Sequence, residues 1–303
     1  MTFKFLLFAF PHSLHIIRDS RYAIQNGWRL DDISLCLSGN IAVSGHNHRT
    51  YQSHVCIYGS TVDNSDSRDK PTLLYHKQFT DKVSWLPRYI SFIKPNSTEI
   101  VTCRDDEVQV IDYNRDAVLR SRKVNGDTRC LSVSESQIFI GLSGLDIVNI
   151  YDNDLNRIKS IRMNLPLYRL GFSWIEKLYR PSWDIAATAD RLYVCTGLYV
   201  SKVFVCSQDS GSVRTAYTTG RWKVRGIAVN TELGLTAVLC EGNTGQKQII
   251  FYPLSKNKSF LNVNVESGVE KIRISDKGRI VTGNRTTGEV KIYNVVSSGI
   301  PKV

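Results

Sequence analysis

Tryptophans and arginines of this sequence recur at fixed distances from one repeated apolar position, filled by Ile33, Ile90, Leu131, Ile185, Ile227 and Ile272. Trp28, Trp85 and Trp222 stand five residues before it, Trp183 stands two before its own copy, and Arg88, Arg129 and Arg225 stand two before theirs. Arginine beside tryptophan grips acidic peptides or stacks on nucleic-acid bases, so these residues, with Arg180 and Arg221 nearby, form the candidate ligand-binding set. Each also has a plainer use. The tryptophans serve equally as packing wedges, and the arginines as solvated rim charge interrupted by Asp31, Asp32, Asp184 and Glu270.

Catalytic chemistry finds less to work with. The residues immediately before the repeated position are Asp32, Tyr89, Cys130, Asp184, Gly226 and Lys271. A divalent cation needs several converging oxygen ligands, and two carboxylates beside a lysine make a poor cage. His46 and His48 form an H-x-H, with His54 and His76 in the same stretch, which reads as a metal site or as a polar loop. Ser207-x-Asp209-x-Gly211 occurs once and suffices as a turn. There is no G-x-S-x-G, P-loop or G-x-G-x-x-G. The expectation is a non-enzyme without catalytic residues, metal or cofactor.

The elements that must position these side chains are short strands. The apolar position lies in a first strand (DISLCLS from Asp32, GIAVNTE from Gly226). A second strand follows (GNIAVSG from Gly39, SQIFIGL from Ser136), then a third (VQVIDY from Val108, VKIYNV from Val290). Five copies add a more polar fourth strand, such as AVLRSRKV from Ala117. Short β-branched runs between Asn, Asp and Gly turns argue against helices. Spacings of 57, 41, 54, 42 and 45 residues between copies fit one blade each, with insertions over 61–70 and 165–181, the latter long enough to hold a helical turn. Four strands repeated six times predict an all-β, six-bladed β-propeller.

The sixth copy lacks a fourth strand, while an orphan strand-like segment, Leu14 to Ile24, precedes the first copy. Joining them closes the ring and removes its open edges. The predicted organisation is an N-terminal extension over 1–13 and a single propeller over 14–303.

Composition sets further bounds. The chain has 303 residues, 42% of them hydrophobic, and 39 Lys+Arg against 28 Asp+Glu, a net charge of +11. No apolar run reaches the roughly 20 residues of a spanning helix, since even Leu192 to Cys206 is broken by Lys202. Seven scattered cysteines without C-x-x-C read as reduced thiols, and Met1 to Phe10 has too short an apolar core for a secretory signal. These features predict a cytoplasmic protein with no membrane partner.

The sequence resembles the six-bladed propellers of the NHL-repeat group, as found at the C-terminus of tripartite-motif proteins. Arg225-Gly-Ile-Ala-Val229, Gly39-Asn-Ile-Ala-Val43 and Gly144-Leu-Asp-Ile-Val-Asn-Ile-Tyr-Asp152 carry the resemblance, which covers about residues 25 to 296. Asn47-His48-Arg49 is separated from its third strand by Thr50 to Ser53, a departure from the group's pattern. The resemblance implies a recognition platform for protein or RNA, often beside a ubiquitin-ligase RING that this sequence does not contain. Some six-bladed propellers are instead metal-dependent lactonases. The reading favoured here is a scaffold that binds a protein or peptide, with an RNA-binding propeller and a lactonase-like hydrolase as alternatives.

Overall fold

The computed structural model describes residues 14–23, 28–36, 39–47, 50, 52–59, 72–79, 88–93, 98–134, 136–142, 147–163, 184–195, 201–255, 258–259, 261–275 and 278–297. Every regular element among them is a β-strand. Blade 1 comprises β2 (Arg29–Leu35), β3 (Ile41–Asn47), β4 (Gln52–Tyr58) and β5 (Leu73–Phe79). Blade 2 comprises β6 (Tyr89–Phe92), β7 (Glu99–Arg104), β8 (Glu107–Asp112) and β9 (Ala117–Lys123). Blade 3 has β10 (Thr128–Ser134), β11 (Gln137–Leu142), β12 (Ile147–Asp152) and β13 (Arg157–Arg162). Blade 4 has β14 (Asp184–Ala187), β15 (Arg191–Cys195), β16 (Lys202–Ser207) and β17 (Val213–Thr218). Blade 5 has β18 (Lys223–Asn230), β19 (Leu235–Glu241), β20 (Lys247–Pro253) and β21 (Leu261–Val265). The sixth is built from β22 (Val269–Ile274), β23 (Arg279–Asn284), β24 (Glu289–Ser297) and, outermost, β1 (Leu14–Ala23).

All six sheets are antiparallel, five of them meanders of consecutive strands, and together they make the expected propeller. β1 runs antiparallel to β24 from Leu14 opposite Ser297 to Ala23 opposite Glu289, with one irregularity between Arg18 and Ser20. The N-terminal strand therefore completes the last blade. The extension over 1–13 and the insertions over 61–70 and 165–181 lie outside the described residues.

The core is six slabs, one between each pair of neighbouring blades. Side chains of β11 show how the sequence builds them. Phe139 packs with Ile185 and Phe204 of blade 4, while Ile138 and Ile140 pack with Val101 and Val110 of blade 2. Both faces of each sheet are covered, so the middle strands read as continuous apolar runs rather than as an alternation. Blades approach closely at small residues. A Cβ on Gly283 of β23 would lie 2.7 Å from Leu30 Cδ2 of blade 1, so this position tolerates no side chain without displacing that leucine.

Candidate functional site

The six residues preceding the repeated apolar position line the axis, and the two carboxylates among them meet at a cation supplied by the chain. Arg273, in the inner strand of blade 6, donates from Nη2 to Asp32 Oδ1 at 3.0 Å and to Asp184 Oδ1 at 3.4 Å. Its Nη1 donates to Asp184 Oδ2 at 3.1 Å and to its neighbour's carbonyl, Ile272 O, at 2.8 Å. Lys271 Nζ stands 3.6 Å from Asp32 Oδ1 and 5.3 Å from the centre of the Tyr89 ring. The carboxylates also latch neighbouring blades, since Ile90 N donates to Asp32 and Ile227 N to Asp184. Gly226 leaves room for this: a Cβ there would come within 3.3 Å of Asp184 Oδ2.

Two negative and two positive groups balance in a buried setting, with Asp32 fully buried and Asp184 nearly so. Burial works against the charge on Lys271 and Arg273, but the adjacent carboxylates outweigh it and raise both above their ordinary values. The positions a divalent cation would bridge are thus taken by a guanidinium. The repeat pattern marks the two aspartates and Lys271 but not Arg273. It follows the apolar residue, where the other copies have Ser34, Ser91, Ser132, Ala186 and Ala228. An arginine among small residues was the available signal. Two of those serines are further latches: Phe92 N donates to Ser34 Oγ, and Ala187 N to Ser132 Oγ.

The expected aromatic and basic face divides when its residues are placed. Trp28 is buried at 7% exposure, packed with Leu30, Val43 and Val290 and edge-on to the His54 ring. Trp222 is half-buried against the blade 4–5 slab. Arg225 Nε donates to Glu241 at 2.5 Å and Arg129 Nη2 to Asp127 at 3.3 Å. Arg88, half-buried, and Arg221, exposed, make no ion pair among the described residues. Trp85, Arg180 and Trp183 lie outside those residues. The aligned offset located the arginines at strand starts, but the acids that meet them come from a loop and from the next strand.

The histidines do not assemble a metal site among the described residues, where no group of three or more potential ligands occurs. His46 Nδ1 lies 2.5 Å from Asp31 Oδ2, and His48 is outside the described set. His54 is buried at 5% exposure, with its Nδ1 against His76 Nε2 and the rings stacked. Burial, then the neighbouring His76, pulls His54 down from 6.5 to about 4. A site that protonates more readily unfolded than folded adds stability above pH 6.5 and loses it as pH falls toward 4. Chemical denaturation should therefore show a loss of up to about 3 kcal/mol across that window, abolished in His54→Gln; a flat profile in the native chain refutes the assignment.

No family model matches the chain. Nor does any curated protein. Among solved structures it is similar to Hsv2 of Kluyvelomyces marxianus, at 10% identity and a TM-score of 0.52, over 84% of this chain and 73% of that one. A structure of Kluyveromyces lactis Hsv2 with its complete loop 6CD matches at 11% identity and a TM-score of 0.52, over 84% of this chain and 70% of that one. At these identities the likeness is one of fold, and it supports the propeller.

Proposed function

We propose that this chain is a non-catalytic recognition module, an NHL-type propeller that binds a protein or peptide through the face carrying the inner-strand starts. The observation that supports it is the axial cluster. The carboxylates best placed for chemistry are consumed by Arg273, Lys271 and two backbone amides, which leaves rigid scaffold and surface to act. On the chosen face, Arg88 and Arg221 have no ion-pair partner among the described residues, and Trp222 offers a half-buried indole, a combination suited to an acidic partner.

The test is affinity capture from cell extract with and without nuclease, comparing the native chain with Arg88→Glu/Arg221→Glu. The expected outcome is a protein partner that survives nuclease and falls about tenfold in the variant. RNA retained at moderate salt and lost in the same variant would replace the protein reading with an RNA-binding one. Ester or lactone hydrolysis that disappears in Asp184→Asn would end the non-catalytic reading.

A further inference from the structure

Bulges that add one residue to the outermost strand occur in blades 1, 2, 3, 4 and 6, the last two at Ala216 and Asp19, and in blades 1, 2 and 3 they fall beside exposed aliphatics. The register skips Leu74 between Leu73 and Tyr75, Leu119 between Val118 and Arg120, and Ile158 between Arg157 and Lys159. A bulge breaks the alternation of a strand, and here it turns two successive residues to solvent. These doublets are Leu73 and Leu74, Val118 and Leu119, and Arg157 and Ile158. The aliphatic members are 38 to 50% exposed, and they account for five of the six large exposed hydrophobics among the described residues. The fold does not demand this. The outer strands of blades 4 and 5 turn Arg214, Thr215, Asn262 and Asn264 outward instead.

The same three strands carry Lys77, Arg120, Arg122, Lys123, Arg157, Lys159 and Arg162 and no acid. Three of these cations tie each blade to the turn of the next: Lys77 to Asp116, Arg120 to Asp154 and Lys159 to Asp209. Arg120 also meets Glu99, and Arg122 donates to Leu155 O. Lys123, Arg157 and Arg162 face solvent without an ion-pair partner among the described residues.

We propose that the rim of blades 1 to 3 docks on an anionic lipid surface, with the bulge aliphatics entering the headgroup region and the free cations meeting lipid charge. Exposed aliphatics beside unpaired Lys and Arg are what interfacial adsorption uses. A protein interface is less well served, because its energetic centres favour Trp and Tyr over Leu and Val. Strand addition by a partner is opposed by the bulges and the basic edge. No described helix is long and apolar enough to cross a membrane, which bears on insertion and leaves adsorption open.

Co-sedimentation with phosphatidylcholine vesicles, with and without about one-third phosphatidylserine, tests this. The native chain should pellet with the anionic vesicles and release as salt rises. Leu74→Thr/Leu119→Thr/Ile158→Thr, which keeps β propensity at exposed sites, should weaken partitioning about tenfold. Lys123→Ser/Arg157→Ser/Arg162→Ser should remove the preference for phosphatidylserine, while Arg214→Ser in blade 4 changes neither. Failure of the native chain to bind anionic vesicles, or unchanged binding by the threonine variant, overturns the proposal. So does capture of a soluble protein through the same three aliphatics without vesicle association. The Arg88 and Arg221 capture assay reads a different face, so either proposal can fail alone.

Discussion

Replacing Arg273 by methionine should destabilise the propeller by about 3–5 kcal/mol, the scale for stranding a buried charge whose partner is removed. At this chain length that corresponds to a thermal midpoint lowered by about 5–10 °C. The size follows from what is left behind. Among the described residues Asp184 would keep a backbone amide, and Asp32 an amide and Lys271 at 3.6 Å, both carboxylates being shielded from water. Burial already lifts Asp32 above its ordinary value against the opposing pull of Lys271 and Arg273, so losing the arginine lifts it further. A carboxyl whose folded pKa lies above its unfolded value gives stability that is full below the unfolded value and lost as pH rises through the folded one. The deficit of Arg273→Met should thus be largest near neutral pH and shrink as the solution is acidified toward the ordinary carboxylate range. Adding Asp32→Asn and Asp184→Asn should recover much of it, because each amide oxygen still accepts from Ile90 N or Ile227 N without carrying charge. Denaturant titrations of the three proteins at two pH values decide it. A methionine variant as stable as the native chain, or a deficit indifferent to pH, would show that the guanidinium is not what neutralises the pair.

The propeller was legible in the sequence because its slabs bury both faces of the middle strands. Runs such as Ile138-Phe139-Ile140 and Ile249-Ile250-Phe251 then repeat without polar interruption, and the outer strands, half in water, break into polar patterns. The missing sixth outer strand was legible too, since an unpaired edge beside β24 required a donor. Side-chain partnerships were not. Arg129 and Arg225 share an offset with Arg88, yet their charges are met by Asp127 and Glu241, which no repeat places. Trp28 is buried partly because His54, from another strand, meets its ring edge-on. The axial carboxylates and Lys271 share the position before the apolar residue, whereas their cation, Arg273, sits one place after it, where the other copies have Ser or Ala. The outer-strand bulges lay beyond any reading of period, since an extra residue is visible only once its partner strand is fixed.

Removing residues 1–23 should cost more than any point substitution. β1 pairs with β24 at nine positions, and its loss strips one edge of blade 6 of its hydrogen bonds along that length. At about 1 kcal/mol net per bond, the penalty rivals the whole stability of an ordinary domain. The exposed edge of β24 also invites pairing between chains. The expected product is a truncated chain that aggregates or unfolds without a cooperative transition. Truncation alone does not separate a ring that needs closing from a chain harmed by shortening, but topology supplies the distinction. Leu14 lies opposite Ser297, so a strand entering β24's free edge from the C-terminal side starts where β24 ends. A permuted chain that begins at Ile24, runs to Val303 and continues into Leu14–Ala23 would make β24 and β1 an ordinary hairpin, with 298–303 as its loop. At six residues that loop is slightly longer than the common hairpin loops of about 2–5 residues and within the range of short connections. The permutant should recover cooperative unfolding and remain soluble, while the truncated chain does not. Equal stability of the truncated and full chains would mean that β1 merely rests on blade 6. A permutant as unstable as the truncation would mean that the order of the strands along the chain, and not only their pairing, holds the ring together.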